Sequence, residues 1–99
     1  MNNLFREVRE IQDVLGVLFI SLNGRLVFQD LDHPKPEPLE DVDWKSFSRT
    51  MAPVSEAELV FERYRLFIRQ TDIGYVVVIM GWDAVIAMVR LKCNEIRLQ

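Results

Sequence analysis

The sequence of 99 residues contains one cysteine and one histidine, and this scarcity limits the chemistry that it can support. The lone Cys93 allows no intramolecular disulfide and fits a reducing cytoplasm. With His33 it falls short of the three or four ligands that a zinc site requires. The four glycines are too scattered for a phosphate-binding loop or a dinucleotide fingerprint. We therefore expect no enzyme activity, no metal and no cofactor.

An excess of basic residues and a long hydrophobic run are also missing. Twelve lysines and arginines stand against fifteen acidic residues, which leaves a net charge of −3. Because phosphate binding depends on a concentrated basic surface, we expect no nucleic acid partner. Even an uninterrupted apolar run such as residues 74–80 has only the length of a strand, so we expect no membrane insertion. The 49% hydrophobic content fits one globular domain over residues 1–99.

Two apolar runs, residues 14–22 and 25–28, flank Asn23-Gly24 and predict a β-hairpin. The two-residue turn that joins such strands needs positive φ at both positions, which Asn-Gly provides. The first run is apolar at nearly every position, and so is residues 75–80. Both therefore read as central strands that are covered on two faces.

Three helices are predicted from apolar residues at helical spacing. The first covers residues 3–12, and the second begins at Trp44 behind a cap at Asp43 and ends before Pro53. The last carries Asp83 in its first turn and an apolar stripe composed of Trp82, Val85, Ile86, Val89, Cys93 and Ile96. Between the first two, residues 30–43 hold three prolines and six carboxylates and predict an exposed, acidic connection.

Alternating residues 55–64 and 66–70 predict two further strands with a turn at Arg63-Tyr64. Residues 55–64 should form a sheet edge, yet they are rich in apolar side chains. Such an edge invites pairing with another chain, unless Glu56, Glu58 and Glu62 protect it. We expect a homodimer interface here, formed by Ala57, Glu58, Leu59, Val60, Phe61 and Glu62.

The short second helix is the other candidate surface. An isolated helix of two turns does not persist in water, so it must dock either on its own sheet or on a partner. Its aromatic anchors and cation are residue types that are enriched at interface hot spots. The predicted partner-binding residues are Trp44, Phe47, Arg49 and Met51.

The order of elements resembles the roadblock (dynein light chain) family, and two segments carry the resemblance. They are residues 13–27, DVLGVLFISLNGRLV, and residues 75–84, YVVVIMGWDA. The resemblance implies an α+β fold, a profilin-like three-layer α/β/α sandwich with elements in the order α-β-β-α-β-β-β-α. It implies a five-stranded antiparallel sheet of order 2-1-5-4-3, with the outer helices on one face and the middle helix on the other.

The resemblance also implies a function. Roadblock proteins act as non-catalytic scaffolds or regulators of Ras-like small GTPases. They pair through their third strands, and the GTPase docks across the paired middle helices. In this sequence the third strand matches residues 57–62 and the middle helix matches residues 44–51. The alternative is a small-molecule sensor domain of profilin-like or PAS-like architecture; an interior filled by Trp82, Phe19 and Phe67 would count against it.

Overall fold

The computed structural model describes residues 2–32 and 42–95, and it contains the eight predicted elements in the predicted order. Predicted features at His33, at Ile96 and in residues 33–41 of the acidic connection lie outside the described residues. The elements are α1 (Asn2–Arg9), β1 (Val14–Ser21), β2 (Leu26–Leu31), α2 (Trp44–Met51), β3 (Glu56–Val60), β4 (Arg65–Gln70), β5 (Gly74–Met80) and α3 (Ile86–Glu95). All strand pairs are antiparallel, in the order β2-β1-β5-β4-β3, which confirms the predicted sheet.

Strands β1 and β5 form the centre of the sheet, and both are covered on two faces as predicted. Alternate side chains of one strand point to opposite faces. One set packs with α1 and α3 in a core that includes Phe5, Val17, Phe19, Phe67, Val78 and Val89. The other set packs with α2 in a second core that includes Leu18, Ile20, Met51, Tyr75 and Val77. The architecture is therefore a three-layer α/β/α sandwich.

The first hairpin is present, but its turn differs from the predicted two-residue type. Gly24 has φ +86°, whereas Asn23 is not among the described residues with positive φ. The Gly24 amide donates to the Ser21 carbonyl at 3.0 Å, and the Ser21 amide donates to the Arg25 carbonyl at 2.8 Å. These bonds define a three-residue loop, Leu22 to Gly24, in which only the last position is left-handed.

The predicted start of the last helix is wrong. Helix α3 begins at Ile86, and Trp82, which was expected on its buried stripe, is 56% exposed. The Asp13 carboxylate accepts the Asp83 amide at 2.8 Å and the Asp13 carbonyl accepts the Gly81 amide at 2.9 Å. Because these bonds hold the chain in a turn after β5, helical geometry starts one turn later.

Gly24 tests how tightly the first hairpin packs against α2. A Cβ at this position would lie 2.8 Å from the Lys45 backbone nitrogen. An alanine would also hold a left-handed conformation that costs about 1–2 kcal/mol. We expect Gly24→Ala to lower the free energy of unfolding by at least about 2 kcal/mol in urea titrations. The neighbouring exposed residue is the control: Arg25→Ala should change it by less than about 0.5 kcal/mol. Equal stability of the two variants would contradict the close approach.

Candidate protein interface

Strand β3 lies at one edge of the sheet, and its only strand neighbour among the described residues is β4. The Phe61 amide donates to the Tyr64 carbonyl and the Gln70 amide donates to the Ser55 carbonyl, both at 2.9 Å. Because hydrogen bonding alternates along an antiparallel ladder, the odd-numbered residues of β3 face β4. The backbone groups of the even-numbered residues, Glu56, Glu58 and Val60, therefore point out of the sheet.

The two sheet edges differ in regularity. On the opposite edge, the pairing of β1 with β2 shifts between Phe19 and Ile20, so that Val27 bulges out. A bulge on an edge strand disrupts the row of hydrogen-bonding groups that another chain could extend. Strand β3 pairs with β4 over five consecutive residues without a shift. Of the two edges, β3 is the one that offers a regular template.

The C-terminal end of β3 exposes apolar side chains on both faces of the sheet. Leu59, on the α2 side, is 40% exposed, and Val60, on the α3 side, is 61% exposed. Ala57 and Phe61 are half-buried and pack against the α2-side core. Contiguous exposed apolar side chains beside unpaired backbone groups are typical of an interaction surface.

Arginines neutralise two of the three glutamates that could protect this edge. Glu56 accepts from Arg69 at 3.1 Å and from Arg90 of α3 at 2.8 Å, and Glu58 lies 3.5 Å from Arg65. Such partly exposed ion pairs add little stability. Their consequence is electrostatic, since they leave β3 without a strong negative field that would repel a second strand.

Trp82 extends the exposed apolar surface beside the end of β3, which sequence reasoning missed. Its indole nitrogen donates to the Glu62 carbonyl at 3.1 Å, and the Arg65 guanidinium lies 5.6 Å from the ring centroid. Arg65 also donates to the carbonyls of Gly81 and Ala84 at 2.8 and 2.5 Å. The exposed ring is thus held in one orientation. Its position directly after a buried strand and a glycine was the available signal.

The turn between β3 and β4 lies one residue earlier than predicted. Phe61 and Tyr64 pair across the ladder and their rings stack at 5.0 Å, so that Glu62 and Arg63 form the turn instead of Arg63-Tyr64. The Tyr64 hydroxyl is buried and has no hydrogen-bond partner within the described residues. Burial raises the pKa of Tyr64 above 10.0. The stacked rings of Phe61 and Tyr64 thus mark the point at which β3 ends and the turn begins.

Helix α2 docks on its own sheet, which was the first of the two alternatives for this short helix. Phe47 contacts Tyr75 edge-on at 5.7 Å, and the Tyr75 hydroxyl donates to the Ser48 carbonyl at 3.1 Å. Trp44 packs edge-on against Phe47 at 5.3 Å. Met51 is only 8% exposed and belongs to the core. Of the four predicted partner-binding residues, Met51 therefore lies in the core, Trp44 and Phe47 are half-buried, and Arg49 is exposed.

The outer surface of α2 is basic. Lys45, Arg49 and Thr50 are exposed, while Trp44 and Phe47 are half-buried and border this surface. The surface available to a partner is thus a cationic ridge with an aromatic flank, and Met51 supports it from inside.

Asp43 caps α2 as predicted, with its carboxylate accepting the amides of Lys45 and Ser46 at 3.1 and 3.3 Å. The Ser46 hydroxyl donates to the same carboxylate at 2.8 Å. The Ser46 hydroxyl and amide, and then the Lys45 amide, hold the pKa of Asp43 below its ordinary 3.8. This cap supports a helix that is too short to form alone.

The reactive groups named in the sequence analysis can be checked against the described residues. Burial raises the pKa of the Cys93 thiol to about 12, which suppresses the thiolate that nucleophilic chemistry requires. Residues 2–32 and 42–95 contain no group of three or more histidine, cysteine or acidic side chains that could hold a metal ion. None of their helices is long and apolar enough to span a bilayer.

Comparisons with known proteins identify the fold. No protein-family model matches the chain, and no curated protein matches it in sequence. A structure described as MglB with tetrameric arrangement aligns with a TM-score of 0.76 at 17% identity, over 95% of this chain and 79% of that chain. The Roadblock/LC7 domain from Streptomyces avermitilis aligns with a TM-score of 0.66 at 12% identity, over 97% of this chain and 87% of that one. The chain therefore has the roadblock fold, as its sequence predicted.

The cap at Asp43 makes stability depend on pH. Since the folded pKa lies below the unfolded value, the ionised cap stabilises the protein above pH 3.8, and this contribution is lost as pH falls through the folded pKa. We expect Asp43→Asn to destabilise the protein near neutral pH, with a difference from wild type that shrinks below pH 3.8. Urea titrations at several pH values measure it. Ser46→Ala, which removes the largest cause of the shift, should weaken this pH dependence, and a pH-independent difference for Asp43→Asn would contradict the role of the charge.

Proposed function

We propose that this protein is a non-catalytic, homodimeric scaffold or regulator of a Ras-like small GTPase in the cytoplasm. The observation that carries the proposal is the regular, apolar and charge-neutralised edge of β3, combined with the roadblock fold. Roadblock proteins pair through this strand, as the sequence resemblance implies. The proposed dimer interface is Ala57, Glu58, Leu59, Val60, Phe61 and Glu62.

The second part of the proposal concerns α2. In a dimer joined at β3, the two copies of α2 lie on the same face of one continuous sheet. Their exposed basic residues, Lys45 and Arg49, together with the half-buried Trp44 and Phe47, would form one platform. We assign this platform to GTPase docking. Met51 contributes by holding the helix on the sheet.

The alternative of a small-molecule sensor is less well supported. Phe19 and Phe67 are almost fully buried on the α1 and α3 side, as expected, whereas Trp82, expected with them in the interior, is exposed. Tyr75 is buried on the α2 side. Ligand sites are usually hollow and lined with a few convergent polar groups. The two cores of the described chain are instead occupied by apolar side chains from the central strands and the helices that cover them.

The homodimer is tested by placing a carboxylate on the β3 edge. Val60→Asp would put an unpaired charge in the interface, which costs about 3 kcal/mol or more and raises the dimer Kd at least about 100-fold. Val27→Asp, at the exposed bulge of the opposite edge, is the matched control and should leave the Kd unchanged. Light scattering and sedimentation over a concentration series measure both. A wild-type monomer at micromolar concentration, or equal effects of the two variants, would refute the β3 dimer.

GTPase docking is tested on the outer surface of α2. Arg49 is exposed, so Arg49→Glu should preserve the fold while reversing the charge of the platform. Wild-type protein should capture a small GTPase from a native extract, and purified components should then show an affinity loss of about tenfold or more for the variant. Arg6→Glu makes the same charge change on α1, on the opposite face, and should bind as wild type does. Failure of the wild type to capture a GTPase in either nucleotide state would contradict the proposal.

A further inference from the structure

The hydrogen-bonding pattern of β3 limits how two copies can pair. Its outward groups belong to Glu56, Glu58 and Val60, and an antiparallel partner must present outward groups opposite them. In a strand paired with its own reversed copy, even-numbered residues must therefore face even-numbered residues of the copy. This is possible only if the two-fold axis passes through a residue, and not if it passes between two residues. Within β3, we consider an axis at residue 57, 58, 59 or 60.

Like-charge contacts near the axis disfavour three of these positions. An axis at residue 58 places Glu58 directly opposite the partner's Glu58, and an axis at residue 57 places Glu56 opposite the partner's Glu58. An axis at residue 60 places Glu58 opposite the partner's Glu62. Like charges directly opposite each other destabilise a strand pair, and in each of these three cases they lie within two residues of the axis.

An axis at Leu59 avoids these pairs. It places Glu58, whose charge Arg65 balances within its own chain, opposite the partner's Val60. Val60 then covers the aliphatic part of Glu58, and it is the most exposed apolar side chain of the strand. The remaining like-charge pair, Glu56 opposite the partner's Glu62, lies three residues from the axis, and Arg69 and Arg90 already supply two positive charges to Glu56.

Side-chain size favours the same position of the axis. On the α2 side, Leu59 meets the partner's Leu59, and the small Ala57 meets the large Phe61 of the partner subunit. The Leu59 backbone groups face β4, so Leu59 and its mate form a non-hydrogen-bonded pair, whose side chains approach most closely. We infer that the two-fold axis of the homodimer passes through Leu59. This inference rests on the proposed β3 dimer and names the contacts within it.

Disulfide trapping tests the position of the axis. In a Cys93→Ala background, single cysteines are placed at Ala57, Glu58, Leu59 or Val60, and each protein is oxidised mildly at concentrations where the wild type is dimeric. A disulfide needs Cα atoms within about 7 Å, and a non-hydrogen-bonded pair provides about 4.5 Å. We expect Leu59→Cys to give covalent dimer at least about tenfold faster than the other three variants, whose paired positions are two or more residues out of register.

A mixed pair gives a second, independent measurement. Ala57→Cys and Phe61→Cys should each remain uncrosslinked alone, and their mixture should form a disulfide heterodimer. Circular dichroism of the reduced proteins establishes that each variant is folded. The mixture also keeps the test valid if Leu59→Cys does not fold.

The outcomes separate this inference from the proposed function. Preferred crosslinking at Ala57, Glu58 or Val60 would overturn the axis at Leu59 and leave the β3 dimer standing. A wild-type dimer that crosslinks at none of these positions would overturn both the axis and the use of β3. A wild-type monomer would overturn the proposed dimer and this inference with it.

Discussion

The burial of β1 and β5 on both faces is the constraint on which the rest of the structure depends. Neither strand has a polar face, so the sheet is stable only if each face is covered by helices. Burying one large apolar side chain contributes roughly 1.5–3 kcal/mol, which explains why even a marginal helix such as α2 is held. Its eight residues would not stay helical in water, and Phe47 and Met51 fix it to Tyr75 and its neighbours.

The open sheet has two edges, β2 and β3, and they differ in charge and in regularity. Near β2, Arg9 of α1 pairs with Asp30 and Asp32 and donates to the Val14 carbonyl at 2.7 Å, and the strand itself carries a bulge. Near β3, arginines bind the glutamates on one face of the strand while its backbone groups remain open. The β2 edge thus carries ion pairs and a bulge, whereas the β3 edge keeps a regular row of open backbone groups.

The sequence contained the features that determine the fold, because they are local. The first hairpin, the Asp43 cap and the two apolar central runs each depend on neighbouring residues. The structure confirms them, except that the hairpin turn has three residues instead of two. The errors arose where distant contacts decide. Trp82 fits a helical stripe by spacing, but bonds from Asp13, some 70 residues away, hold the chain in a turn there. Met51 was predicted to bind a partner because it lies beside the aromatic anchors of the helix, and only the packed core shows that its side chain faces inward. The arginines that neutralise Glu56 and Glu58 come from β4 and α3, so sequence spacing could not reveal them.

The short middle helix links the proposed dimer to the proposed activity. Eight residues span about 12 Å, and a standard protein interface buries about 800 Å² on each partner. One such helix, with two of its aromatic side chains turned partly toward its own sheet, offers too little surface for a stable complex with a folded protein. In the proposed dimer, two helices on one continuous sheet would double the cationic ridge and bring Lys45 and Arg49 of both copies to the same face. In the proposed dimer, binding of a globular partner to α2 would therefore depend on the pairing of β3, and the edge strand would control the affinity of a surface that it does not itself form.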